Sequence, residues 1–310
     1  MCTIGVAGEK WGAVEKVEWF NSVNHVKRSY ESEVLAKLEG LKNRMDVNVF
    51  GTLSYDEKYK LYVVTSRNYT STKPTIVVTG GVHGYETSGV QGALRFAETR
   101  MEKYAKYFNI IVFPCVSPWG YETINRWTPK AMDPNRSFSD KSSEEAHAVC
   151  SYLSNRKASD HTFNVLAHFD LHETTNSDAT TFRPALAARD GKSQAEVNIF
   201  IPDGFYLVGN STQPAPEFQR AIIDQVRKVT HIAPSDSNGC IIGSRVVQEG
   251  VINYPAKELG LCMGMTDAAY VTTTEVYPDG ATITAEECIL AQVTVVTAGL
   301  DHLSIGSIAV

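Results

Sequence analysis

Cysteine is scarce and unpatterned in this chain. Six occur in 310 residues, at Cys2, Cys115, Cys150, Cys240, Cys262 and Cys288, and none forms a CxxC pair. No disulfide framework can be read from them, and buried reduced thiols are the expectation. Positive charge is not in excess: 29 Lys and Arg face 35 Asp and Glu, a net charge of -6, which argues against a nucleic-acid partner. No stretch approaches the roughly 20 apolar residues that span a membrane, so no membrane partner is expected. The first twenty residues hold neither a basic stretch nor a long apolar one, so the chain reads as cytoplasmic and without a signal peptide. Repeats and low-complexity linkers are also missing. The zinc motif HExxH does not occur around His83, since Thr87 stands four residues after it.

What is present is a chain 43% hydrophobic, enough for one large core. Residues 12–44 read as helical, with apolar positions spaced along two faces. From residue 46 the period changes. "DVNVFGTLSY" and "YKLYVVTS" alternate like a hairpin, and "TIVVTGG" (75–81), "NIIVFPCV" (109–116), "NVLAHFDLH" (164–172) and "AYVTTTEV" (269–276) read as buried strands. Helices are expected over 87–105, 142–155, 216–229 and 284–303; Ser142 with Glu145 and Thr284 with Glu287 have capping-box spacing. Alternating strands and helices imply an α/β protein with a mixed, mostly parallel twisted sheet flanked by helices. The simplest division is a helical leader, 1–45, and one catalytic domain, 46–310.

The chemistry concentrates at strand ends, where α/β sheets place their sites. His83 and Glu86 follow the strand at 75–81, and His172 ends the strand at 164–172. Two histidines and a carboxylate are a common protein ligand set for catalytic zinc. His168 shares the face of His172, but His172 is preferred because it lies where the strand opens to solvent. "SPWGYETINRWTPKAMDPNRSF" brings Arg126 and Arg136, and guanidinium groups near a metal suit a carboxylate-bearing substrate and a developing oxyanion. "DPNR" by itself is equally a surface turn. Glu275, in an otherwise β-branched strand, is costly to bury without purpose, and a general base acting on a metal-bound water is such a purpose.

Taken in order, His83-Gly-Tyr-Glu86, "SPWGYE", Arg126, Asp133-Pro-Asn-Arg136, His172 and Glu275 resemble the motifs of the zinc metallocarboxypeptidases of the carboxypeptidase A type, across roughly 50–290. The resemblance implies that fold, one zinc ion per chain on His83, Glu86 and His172, and Asp133 orienting His83. It further implies Asn135 and Arg136 on the substrate's terminal carboxylate, Arg126 on the scissile carbonyl, and Glu275 as base. A substrate-capping tyrosine would be Tyr254, with Tyr270 as the alternative. "DLHETTNSD" and "TEVYPDG" look like the related aspartoacylase and succinylglutamate desuccinylase branch, which cleaves N-acyl amino acids. The substrate is therefore expected to be a peptide or N-acyl amino acid with a free carboxylate. The sequence assigns no oligomeric state.

Overall fold

The computed structural model describes residues 4–193 and 200–307. Ten strands form one mixed sheet: β1 (Asp46–Thr52), β2 (Lys60–Thr65), β3 (Thr75–Gly80), β4 (Asn109–Phe113), β5 (Val165–Glu173), β6 (Tyr206–Asn210), β7 (Cys240–Ile241), β8 (Ser244–Gln248), β9 (Val251–Tyr254) and β10 (Tyr270–Val276). Their spatial order is β1-β2-β4-β3-β5-β10-β6-β9-β8-β7. The middle strands β4, β3, β5 and β10 run parallel, while antiparallel pairing dominates both edges. The predicted hairpin is β1 with β2.

β-branched residues pack both faces of the middle strands. On β3, Ile76 and Val78 face one apolar cluster and Val77 faces another. Helices α3 (Thr87–Thr99), α8 (Pro216–Val226) and α9 (Ala285–Ser307) cover the first face, with α9 between the other two. Helix α6 (Glu144–Ser159) covers the second face through Ala146, Val149, Cys150 and Leu153. The capping box at Thr284 forms as read: its amide donates to Glu287 Oε2 at 2.8 Å and its Oγ1 accepts from the Glu287 amide at 3.2 Å. The predicted cap of α6 moves by one residue. Ser143, not Ser142, accepts from the Ala146 amide, and it holds the extended backbone that a cap requires.

Three other expectations are adjusted. The helix expected over 87–105 breaks at Arg100, so that Met101–Ala105 forms a separate turn. The helical stretch at 12–44 is two pieces, Ala13–Val23 and a π-then-α run from Glu31 to Leu41, joined by an irregular bend. Strands β6 to β9 were not anticipated, since they are two to five residues long, too short to show a period. Of the described cysteines, four are buried and Cys240 is half-buried; all are unpaired thiols. Among the described residues no helix is long and apolar enough to cross a membrane.

Candidate metal centre and active site

The site is assembled at the carboxyl ends of β3, β5 and β10. After β3 the chain turns at Gly81, where φ is 61°, a value that strains any residue with a side chain. Gly84 follows His83. A Cβ there would sit 2.3 Å from the carbonyl oxygen of Ser117, so only glycine lets this loop nest against the neighbouring one. The bend between the two leader helices grips the same loop. Arg28 donates to the Gly84 carbonyl at 2.8 Å and the Tyr121 carbonyl at 2.6 Å. Glu86 then caps α3, where the helix N-terminus favours its negative charge.

His172 reaches the loop from β5. His83 Nδ1 lies 2.7 Å from Glu86 Oε1, His172 Nδ1 lies 2.8 Å from Glu86 Oε2, and the two Nδ1 atoms are 3.1 Å apart. All three side chains are buried. Each imidazole has its other nitrogen against a carboxylate: His83 Nε2 is 2.9 Å from Asp133 Oδ1, and His172 Nε2 is 3.1 Å from Asp170 Oδ2. With a metal bound, both Nε2 atoms would carry the proton and donate it to these carboxylates, which would leave both Nδ1 lone pairs for one ion. Glu86 Oε2 sits near His172 but off the line of a hydrogen bond, so this buried oxygen has no hydrogen-bond partner. Two imidazole nitrogens and an orphaned carboxylate oxygen match the donor set of zinc. Burial raises the Glu86 carboxyl, but the His172 and His83 charges outweigh it and hold the value down to about 2. His172 moves the other way: burial lowers it, while Asp170 and Glu86 raise it well above the usual imidazole range.

Asp170 was not anticipated. Residues 168, 170 and 172 share one face of β5, and all three are almost wholly buried. Thr79 Oγ1 donates to Asp170 Oδ1 at 2.7 Å and is 3.0 Å from His168 Nε2. His168 thus stands beneath the centre and outside it. His168, Asp170 and Cys262 also come within reach of one another, but Asp170 is engaged by His172 and Thr79, and the group forms the underside of the centre. Asp170→Asn is expected to weaken zinc affinity by about 10- to 100-fold, because the ring of His172 loses its anionic partner. Chelator competition measures it; an unchanged affinity contradicts the role.

Glu275 stands beside His172 in the register of β10 against β5. Residues opposite each other on parallel neighbours project to the same side. Thr174 Oγ1 donates to Glu275 Oε2 at 2.7 Å and is 2.8 Å from the Tyr206 hydroxyl, which completes a short relay. Burial pushes the Glu275 carboxyl up to about 7 against the pull of His172. That is where a general base is effective near neutrality.

Arg126 lies on the other side of the centre. Its Nη1 is 3.9 Å from Glu86 Oε1 and 3.2 Å from Asp178 Oδ1, and its Nε is 3.3 Å from Asp133 Oδ2. Its guanidinium rests on the Phe182 ring at 4.3 Å. Asp178 also accepts from the Tyr85 hydroxyl at 2.9 Å. Asp178 and Phe182 lie in an irregular π-helical turn, which no sequence period marks. Asp133 begins a 3-10 turn and accepts the Asn135 amide. Asn135 Oδ1 accepts from the Cys262 amide at 2.7 Å, so its side chain is buried behind His172. Arg136 is exposed at the rim. Tyr254 ends β9, half-buried. Tyr270 begins β10 at the opposite end from Glu275 and packs on Phe218 at 5.2 Å, too far along the strand to cap the site.

Structural comparison shows the fold. A candidate metallopeptidase from Shewanella denitrificans OS217 superposes with a TM-score of 0.63 at 17% identity, covering 86% of this chain and 88% of that one. A metallo-carboxypeptidase from Burkholderia cenocepacia gives 0.59 at 15%, covering 89% and 69%. Bovine thrombin-activatable fibrinolysis inhibitor, solved with a tick carboxypeptidase inhibitor, gives 0.56 at 13%, covering 96% and 99%. The protein therefore has a zinc carboxypeptidase-like fold, with candidate metal-binding residues at its strand ends. Residues 72–202 match the model of the succinylglutamate desuccinylase/aspartoacylase catalytic domain. The match begins before β3 and runs past His172, so it takes in the three candidate ligands but not Glu275. Comparison with curated proteins by sequence finds no match.

Proposed function

We propose that this chain is a zinc-dependent hydrolase that cleaves an amide bond next to a free carboxylate. The observation that carries the reading is the buried convergence of His83, Glu86 and His172 with Glu275 alongside in strand register. One zinc ion per chain, held by these three residues, would acidify a water towards a pKa of about 7 and polarise a carbonyl. Glu275 takes the proton of the attacking water and delivers it to the leaving amine. Arg126 donates to the carbonyl oxygen as it gains charge, and its hold on Asp133 and Asp178 keeps it oriented. Arg136 binds the substrate carboxylate at the rim, with Asn135 fixing the turn and Tyr254 closing over it.

The N-acyl amino acid reading gains weight from the catalytic-domain match over 72–202. The peptidase reading draws on the resemblance of the spaced motifs. Zinc-reconstituted protein assayed on C-terminally free dipeptides and on N-acyl aspartate and N-acyl glutamate separates them. Hydrolysis of neither class overturns the proposal.

Arg136→Ala is expected to raise KM by about 10- to 100-fold for free-acid substrates, since a hydrogen bond to a charged group contributes about 1.5–3 kcal/mol. Substrates with a blocked carboxylate should change little. Equal losses on both would remove Arg136 from that role.

A further inference from the structure

The molecule has a cavity of about 280 Å³ next to the centre, to which the roles assigned above give no occupant. Its walls come from three places: Trp19 and Val23 of the first leader helix, Tyr85 and Arg126 beside the metal centre, and Trp127 and Phe182. The rings form a continuous array, with Trp19–Trp127 and Trp127–Phe182 centroids each 5.4 Å apart. Arg126 is the one charged residue in the lining.

Two of these side chains reach from the cavity to the metal cradle. Arg126 Nη1 is 3.9 Å from Glu86, and the Tyr85 ring is 6.3 Å from that of His83, centroid to centroid. Arg136 and Tyr254, assigned above to the substrate carboxylate, and Asn135, which fixes the turn, contribute nothing to the lining. The cavity therefore borders the residue assigned to the scissile carbonyl and avoids those assigned to the carboxylate. An amide has two sides, and this one is the acyl side. The walls are mostly aromatic and apolar, with Asn125, Ser177 and Thr181 as neutral polar members, and the volume is small for a ligand pocket, so it suits about one ring.

We propose that this cavity binds an aromatic or branched apolar group on the acyl side of the scissile amide. The substrate is then an N-acyl amino acid or short peptide with such a group next to the bond, in preference to an acetyl or succinyl derivative. The assignment of sides rests on the hydrolase reading above. The inference gives the leader helix a part in specificity, since it supplies one wall.

The test uses full-length, zinc-reconstituted Glu275→Gln protein and calorimetric titration with N-benzoyl and N-acetyl derivatives of the same amino acid, in pairs built on glycine, phenylalanine, lysine and aspartate. The benzoyl member of a bound pair should bind about 10- to 100-fold more tightly, the range expected from burying one aromatic side chain. Filling the cavity from exposed Thr181, as Thr181→Trp, or from half-buried Val23, as Val23→Phe, should bring the two affinities together. The variants come from separate elements, and circular dichroism checks that each folds. Equal affinities in every pair, no binding by any pair, or an undiminished benzoyl preference in both folded variants overturns the inference. Turnover of the same pairs by the zinc-loaded wild type separates the two proposals. Benzoyl-selective binding without hydrolysis sinks the hydrolase reading and leaves the cavity assignment standing; hydrolysis without acyl preference does the reverse.

Discussion

Glu275→Gln is expected to bind zinc as the wild type does and to lose about 10²- to 10⁴-fold in kcat, the range attributed to a positioned acid–base group. The amide keeps the shape of the carboxylate and can still accept from Thr174 Oγ1, now 2.7 Å away. It cannot take a proton. Glu275 lies outside the ligand cluster, so metal content should not follow activity down. The pH profile gives a second reading of the same residue. Burial raises this carboxyl to about 7, and only its ionised form can act as base. Activity should therefore rise with pH through an acid limb, and a divalent cation beside the carboxylate draws that limb to 7 or below. A fully active Gln variant, or one that retains the same limb in its residual rate, removes Glu275 from the reaction.

His172→Ala should abolish zinc-dependent stabilisation. A ligand that binds only the folded state at 1,000 times its dissociation constant stabilises it by about 4 kcal/mol. Wild-type protein should thus melt at a clearly higher temperature with zinc than after chelation, and the variant should show no such difference. The variant has a second defect. Glu86 and Asp170 both face His172 in the buried interior, and removing the imidazole leaves two carboxylates with one partner fewer. Breaking a buried charged pair costs about 3–5 kcal/mol, so the metal-free variant should also be less stable than metal-free wild type. His172→Gln, which restores volume and a hydrogen-bond donor, should recover part of that stability but not zinc binding. Zinc-dependent stabilisation that survives in both variants would contradict the ligand assignment.

The middle of this fold is legible because its signals are local. A β-branched run reads as a buried strand whatever surrounds it, and glycines framing His83 mark a turn where a strand ends. His172, not His168, meets His83 and Glu86, but solvent opening is not the reason, since both imidazoles are buried; what separates them is that His172 lies nearer the carboxyl end of β5. Asp170 carried a usable signal, two residues from His172 and so on the same face, yet a buried aspartate looks like any strand aspartate until its partners are known. Strands β6 to β9 are not legible because two to five residues leave no period to count. Asp178, Phe182 and Arg28 were beyond reach for another reason. Their contacts join parts of the chain remote in sequence and lie in segments without helical or strand periodicity. Trp19 and Trp127 carry no signal of a site in the sequence, and only their meeting around a cavity gives them one.

The side-by-side placement of His172 and Glu275 has an evolutionary corollary. The separation between the acid proposed to handle the proton and the proposed metal cradle is fixed by the ladder joining two neighbouring strands, among the least deformable parts of the molecule. Arg126, Phe182 and the leader helix sit on connections that can lengthen, shorten or be exchanged without disturbing that ladder. Descendants of such a chain can retarget what they cleave by rewriting the periphery alone, so the reacting pair should outlast many changes of substrate.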